Sequence, residues 1–314
     1  MAKNKVQFQE GFSIPEFMKK YGTEEQCEHA LFKIRWPKGY ICERCDHDSY
    51  CYIQSRRTFQ CTRCKFQTSV KRNTLFHSSN VPLTKWFLAI LLITQSKNGI
   101  AALPLKRHLG VSYNTAWRMK HKLMQAMTER DAKHKLSGLI TMDDAYLGGK
   151  KNGKRGRGSE NKRPFVAAVS LNKDGNPLYV KFTPIKSFTN TSIGQWVERH
   201  LYPKALVATD GLAGFNIISK INEHKHVSIP MKKDPKTGEI PYFHWVNTIL
   251  GNVKSSLTGT YRSSSPVYQE RYLAEFQYRI NRRFDLRSLF TGLIYTASFT
   301  PPLPGRLLKV AVNC

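Results

Sequence analysis

Two periods divide the apolar residues of this chain, and the switch between them falls near Ser137. Before it, hydrophobic side chains recur three and four apart, the spacing that gathers them on one face of a helix. Phe12, Ile14, Phe17, Met18 and Tyr21, followed by Leu31, Phe32, Ile34 and Trp36, predict one or two short helices. Pro82 stands near the start of another run that holds Trp86, Phe87, Ile90, Leu91 and Ile93. Ile100, Leu103, Leu105 and Leu109 mark the next, with Pro104 acceptable only in its first turn, where a missing N–H costs little. Gly110 then supplies a turn, and Ser112 caps a helix whose Ala116, Met119, Leu123 and Met127 recur at helical spacing. These last two helices read as a helix-turn-helix, with a plain structural pair as the simpler alternative.

Beyond Ser137 the pattern turns to short apolar runs. Strands are expected at 139–147, 164–171, 178–183 and 206–209, a further short one at 226–229, and a helix at about 191–201 between the third and fourth. Two helices, at 244–257 and about 267–284, close this region. The longest apolar stretch, residues 86–93, is far shorter than the ~20 residues a membrane helix needs, so no membrane partner is expected.

Charge narrows the partner. Fifty Lys and Arg against twenty-two Asp and Glu leave a formal +28 on 314 residues, spread along the whole chain, while the 40% hydrophobic content is that of a folded protein. Nucleic acid is the natural partner of such a surface. The helix-turn-helix would then offer Tyr113, Asn114, Arg118, Lys120 and Lys122 to DNA. A basic segment at 148–163, with Lys150, Lys151, Lys154, Arg155 and Arg157 against the single acid Glu160, reads as a phosphate-touching loop or as a solvated hairpin.

Two Cys-x-x-Cys pairs, Cys42/Cys45 and Cys61/Cys64, lie fifteen residues apart within a basic stretch. That is the ligand spacing of a four-thiolate zinc ribbon, and with no signal peptide ahead of it a reduced compartment favours metal over disulfide. Cys27, Cys51 and Cys314 have no partner spacing and are expected to be ordinary thiols.

Metal-assisted phosphoryl transfer needs carboxylates that converge on divalent ions. Asp143 lies inside the first predicted strand and Asp210 at the end of the fourth, so adjacent strands could bring them together; Asp210-Gly211 also reads as a simple turn. In the helix at 244–257, Asn247, Gly251 and Lys254 fall on one stripe beside the buried face. An amide oxygen there can ligate magnesium, and a lysine can meet a phosphate. Asp144 is expected to point away from Asp143 across the strand, and Glu275 to pair with Arg279 one turn on.

Taken together, the chain resembles the zinc-ribbon-bearing insertion-sequence transposases with a ribonuclease-H-like catalytic domain, in the branch where the Asp-Asp-Glu set is followed by Lys and Asn can replace Glu. The carriers are the four cysteines, Ser96-Lys97-x-Gly99-Ile100 leading into Leu109-Gly110-Val111-Ser112-Tyr113-x-Thr115-Ala116-Trp117, Met142-Asp143-Asp144-x-Tyr146-x-Gly148-Gly149, Thr209-Asp210-Gly211, His244-x-x-Asn247-x-x-x-Gly251-Asn252-x-Lys254, and Asn281-Arg282-Arg283. The resemblance implies that Asp143, Asp210 and Asn247 hold two Mg²⁺ or Mn²⁺ ions, that Lys254 contacts DNA, and that Zn²⁺ is structural. It implies a ribbon with a helical cap at 1–78, a helix-turn-helix segment at 79–136, an α/β catalytic domain at 137–300 and a tail at 301–314. Double-stranded DNA is the expected substrate, a homo-oligomer on DNA the expected assembly, and the bacterial-type cytoplasm and nucleoid the expected location, with no small-molecule substrate. The neutral amide at Asn247 leaves two competing readings: a DNA-binding protein without catalysis, and a nuclease without strand transfer.

Overall fold

A computed structural model describes residues 6, 8–148, 162–229, 243–261 and 265–309, which form two compact units: residues 1–126 with 284–309, and residues 127–283. The first unit opens with helices α1 (Ile14–Tyr21) and α2 (Glu24–Arg35). Ser13 caps α1, and a reciprocal Thr23/Gln26 capping box starts α2. Ile14 and Met18, expected on a packed face, are exposed instead, while Phe17 is buried. Next comes a three-stranded antiparallel ribbon, β1 (Tyr50–Ile53), β2 (Thr58–Cys61) and β3 (Gln67–Thr68). Phe59 of β2 meets the rings of Phe32, Trp36, Tyr40, Tyr50 and Tyr52, an aromatic knot that ties the ribbon to α2.

Helix α3 (Leu83–Gln95) begins after Pro82 and has no cap of its own. The carboxylate of Glu24 fills that role, accepting from the N–H groups of Leu83 (2.9 Å) and Thr84 (3.1 Å). Helix α4 (Ala102–Leu109) takes Pro104 in its first turn and ends at Gly110, whose left-handed φ of 59° favours glycine. Helix α5 (Tyr113–Ala132) starts on Ser112, whose hydroxyl accepts from the Thr115 N–H at 3.1 Å.

The second unit is built on a five-stranded sheet of β4 (Leu139–Leu147), β5 (Arg163–Leu171), β6 (Pro177–Pro184), β7 (Leu206–Thr209) and β8 (Lys225–Ser228), in the order β6-β5-β4-β7-β8. The first three strands form an antiparallel meander, and β7 and β8 add in parallel. Helix α6 (Asn190–His200) provides the crossover and packs one face of the sheet through Trp196 and Val197. Helices α7 (His244–Tyr261) and α8 (Gln269–Asn281) cover the other face through Val246, Ile249, Val253 and Leu273. A meander extended by parallel strands with helices on both faces is the ribonuclease-H-like α/β architecture. The basic residues Lys150, Lys151, Lys154, Arg155 and Arg157 lie outside the described residues.

The chain then returns to the first unit with α9 (Leu286–Phe299) and the short α10 (Gly305–Leu308). Residues 284–300 were expected to close the catalytic domain; instead Phe290 of α9 packs among Phe12, Phe17, Tyr21 and Phe87. Aromatic burial in the helical unit thus decides where α9 goes. No helix among the described residues is long and apolar enough to cross a membrane.

Strand β6 is an edge, and α8 runs along it. Phe182 N–H donates to Gln277 Oε1 (2.8 Å), Val180 N–H donates to Asn281 Oδ1 (2.7 Å), and Asn281 Nδ2 donates back to Val180 O (3.0 Å). Arg283 donates to the carbonyls of Pro177 and Leu178. Side-chain amides one helical turn apart therefore imitate a sixth strand and block pairing with another chain. Arg282 and Gln277 both bond the buried Asp131 near the end of α5, at 2.8 and 3.0 Å. Asn281→Ala is expected to destabilise the sheet unit by roughly 1–3 kcal/mol, the cost of unpaired buried polar groups. Amide exchange at Val180 should quicken with it; unchanged exchange there would contradict the clamp.

Candidate active site and metal centre

Each cysteine pair sits in a turn of the same design. Cys42 N–H donates to His47 O, and the Cys42 carbonyl accepts from Asp46 N–H; Cys61 N–H donates to Phe66 O, and its carbonyl accepts from Lys65 N–H. Asp46 (φ 55°) and Lys65 (φ 58°) are left-handed, which turns the chain so that both thiols of a pair face the same point. The strand register brings the two turns together, and all four sulfurs lie within 4.8 Å of one another. Cys42 and Cys64 are 3.5 Å apart, Cys45 and Cys61 3.6 Å. A disulfide needs about 2.05 Å. Four sulfurs on one zinc at ~2.3 Å would sit roughly 3.8 Å apart, so the donor set fits a tetrahedral zinc. Cys27 and Cys51 are free thiols outside this centre.

The acidic site forms where β7 stops and β4 continues. Parallel pairing ends at Met142 opposite Thr209, so the next residues on the two strands are Asp143 and Asp210. Asp143 is 6% exposed and Asp210 8%. The Leu212 N–H donates to Asp210 Oδ1 at 3.2 Å, so the carboxylate closes the expected turn without leaving the site. Thr209 Oγ1 lies 2.8 Å from His226 Nε2 and donates to the Asp210 carbonyl. His226 was not singled out in the sequence; only the pairing of β8 with β7 discloses it.

Asp144 does not behave as expected. Alternation along β4 sends it to the opposite face from Asp143, yet oxygens of Asp143, Asp144 and Asp210 lie within 4.8 Å of one another. Among the described residues, β7 pairs with β4 only as far as Met142, so no β7 partner lies beside Asp143 and Asp144. The three acids leave a mark on Asp143. Burial first, then the charges of Asp144 and Asp210, push its carboxyl up to about 7, while the Asp144 backbone N–H and Lys254 pull the other way. Two oxygens sharing one magnesium at 2.0–2.1 Å stand about 3–4 Å apart, so small movements would close this cluster on a cation.

Helix α7 brings Asn247, Gly251 and Lys254 to the same side of the sheet, packing on β4 and β5. Val246, Ile249, Leu250, Val253 and Leu257 are its buried positions, and Asn247, Gly251 and Lys254 are exposed beside them. A Cβ at Gly251 would meet nothing within 4 Å, so open space adjoins this turn. Glu275 is held by Arg279 at 2.9 Å, as its spacing suggested, and is not in the acidic cluster.

The helix-turn-helix surface is smaller than expected. Tyr113, Asn114 and Arg118 are exposed, but Lys120 is only 2% exposed, with its ammonium bonded to the Ile100 carbonyl. Helical periodicity alone assigns this position to a surface; the Ile100 carbonyl, just ahead of α4, draws it inside. Lys122 is half-buried, and burial followed by Arg118 lowers its pKa.

Residues 135–281 match the ISXO2-like transposase domain, and residues 22–67 match a transposase zinc-ribbon domain. A relative from Halobacterium salinarum, described as an uncharacterized protein in transposable element ISH50, is 29% identical over 197 residues. The match takes in 62% of this chain, and the chain spans 62% of that relative's length. Among solved structures, a pre-cleavage Mos1 transpososome is 8% identical, with 66% of this chain and 78% of the other covered and a TM-score of 0.22. The mariner Mos1 paired end complex with Mg is 11% identical, with 66% and 76% covered and a TM-score of 0.26.

Two expectations follow from the geometry. Stripping metal with a strong chelator, or replacing Cys61 by Ser, should abolish the near-ultraviolet dichroism of the rings around Phe59, because the ribbon has little else to close it. An unaltered spectrum would argue against a metal-folded ribbon. For Asp143 the sign is fixed by a folded pKa above the ordinary 3.8. Without metal, stability falls as pH rises from about 4 to about 7 and stays lowered above that. In chelator at pH 8, Asp143→Asn should therefore unfold at higher urea than wild type, by an amount on the order of a few kcal/mol, and the gain should vanish near pH 4. Equal stability at pH 8 would contradict the crowding of these acids.

Proposed function

We propose that this chain, in which a match to a transposase zinc ribbon precedes a match to an ISXO2-like transposase domain, is a DNA transposase that binds the terminal inverted repeats of an insertion sequence and cuts and rejoins its ends. The observation that carries this reading is the convergence of Asp143, Asp144 and Asp210 at the end of the β4/β7 pair, with Lys254 close enough to act on Asp143 electrostatically. Asp143 and Asp210 would hold divalent ions, with the Asp144 carboxylate within reach and the Asn247 amide offering a neutral oxygen from α7. Magnesium or manganese bound there supplies a lowered pKa for the attacking oxygen and charge stabilisation for the leaving one.

The chain's own groups do the rest. Lys254 meets a phosphate beside the acids, and the space next to Gly251 admits the strand being cut. Asp210 is held in place by the Leu212 N–H, and the backbone that carries it by Thr209, itself bonded to His226. Tyr113, Asn114 and Arg118 present themselves to a DNA groove, while zinc in the four-thiolate centre keeps the ribbon folded. The chain acts as a multimer on DNA, since joining requires two element ends in one complex. It works where chromosomal DNA lies, in the nucleoid of a bacterial-type cell.

A strand-transfer assay on the DNA flanking the gene tests this reading. With Mg²⁺ or Mn²⁺, the wild type is expected to nick and join end DNA. Asp143→Ala and Asp210→Ala should keep end binding and lose both steps by at least a hundredfold. Cleavage without joining would identify a nuclease, and end binding without cleavage a regulator. Asn247→Glu should shift the divalent-metal dependence, and an identical metal profile would remove Asn247 from the ligand set.

A further inference from the structure

Two acid-free stretches of sequence meet in the first unit. Residues 49–128 hold no Asp or Glu, and neither do residues 286–314. Most of the acids that the unit does hold are engaged elsewhere: Glu16 pairs with Lys20 and Arg287, Glu24, Glu25 and Glu28 with Arg57, and Glu43 with Arg35 and Arg72. The meeting point is α10. Beyond α9, Pro301, Pro302 and Pro304 hold φ fixed, so the chain is carried on by a stiff segment whose ordering costs little entropy. Leu308 is fully buried and anchors the short helix. A Cβ placed on Gly305 would lie 3.8 Å from Arg118 Nε and 4.0 Å from its Cζ, so this turn passes directly beside the Arg118 guanidinium of α5. Lys309, still helical in its backbone, follows Gly305 by four residues and Arg306 by three, which sets it on their side of the turn. Arg306 and Lys309 are exposed, as Arg118 is. On α5, Lys122 lies one turn beyond Arg118 and near enough to feel its charge.

Like charges gathered on one surface repel, and with no acid in either stretch their natural offset is an anion from outside the chain. Separate single charges at exposed positions suit the regularly spaced phosphates of a duplex, which take up basic side chains by releasing counterions. We propose that α10 extends the DNA-binding surface of α5, with Arg306 and Lys309 holding backbone phosphates of the same duplex whose groove receives Tyr113, Asn114 and Arg118. This rests on the DNA-binding part of the function proposed above. Phosphate contacts carry no sequence information; they fix the register in which α5 meets the base edges. The C-terminal segment is then a positioning clamp for the reading helix.

The test uses the full chain, a duplex carrying the element end and an unrelated duplex of equal length, with binding followed by fluorescence anisotropy over a salt series. Both positions are exposed, so Arg306→Gln and Lys309→Gln remove charge without removing packing. Each is expected to weaken binding several-fold on both duplexes alike. Each should also lower the slope of log affinity against log salt by about 0.9, the value for one lost phosphate contact. Phosphate ethylation supplies a second measurement. Sites whose ethylation weakens wild-type binding beside the α5 groove should become indifferent in the Arg306→Gln, Lys309→Gln double variant, while other sites keep their effect. An unchanged salt slope and ethylation pattern in the double variant would overturn the proposal while leaving DNA binding intact. A loss confined to the end duplex would overturn it too, since the phosphates are the same in both. Absence of binding by the wild type would overturn both readings. Tighter binding to duplex RNA of the same sequence, weakened by the same two substitutions, would overturn the assignment to DNA.

Discussion

Three carboxylates crowd into one corner of this fold, and their crowding holds the Asp143 carboxyl well above its ordinary range. Asp143 and Asp210 are buried at the point where a parallel strand pair ends, the Asp144 carboxylate lies within 4.8 Å of both, and Lys254 is a cation near enough to act on Asp143. A globular protein gains nothing in stability from such an arrangement, because buried like charges weaken the folded state. The sheet tolerates it because it is tied down elsewhere. Apolar layers on both faces and the amide clamp of α8 on β6 hold the strands whether or not the acids are neutralised.

On the function proposed above, the remaining parts of the molecule each supply groups suited to DNA. The ribbon is closed by four thiols and an aromatic knot around Phe59, and so does not depend on a large core of its own. Helices α4 and α5 present a small exposed set, Tyr113, Asn114 and Arg118, on a frame in which even a lysine stem is packed inside. Helix α7 delivers Asn247, Gly251 and Lys254 from the face that packs on β4.

Much of this was legible in the residues, for identifiable reasons. Short apolar runs bounded by turn residues located β4 to β8. The cysteine spacing located the ribbon because thiolate geometry permits few alternatives. Asp143 and Asp210 could be paired because strands of one sheet bring distant residues together. Three features were not legible. Asp144 joins the cluster although strand alternation sends it to the other face from Asp143, a side-chain placement that no local pattern encodes. Lys120 is buried because the Ile100 carbonyl, twenty residues away, offers it a partner. Helix α9 leaves the catalytic region for the helical one because Phe290 finds four aromatic partners there, a long-range preference invisible to periodicity.

The proposed function requires that the corner formed by Asp143, Asp144 and Asp210 hold a divalent cation. Titrating zinc-loaded protein with Mn²⁺ and following the ion by electron paramagnetic resonance measures this without any reaction. Saturable binding in the wild type, abolished by Asp143→Asn and Asp210→Asn and weakened at least tenfold by Asp144→Asn, is the predicted result. The same binding curve in all four proteins would contradict the account.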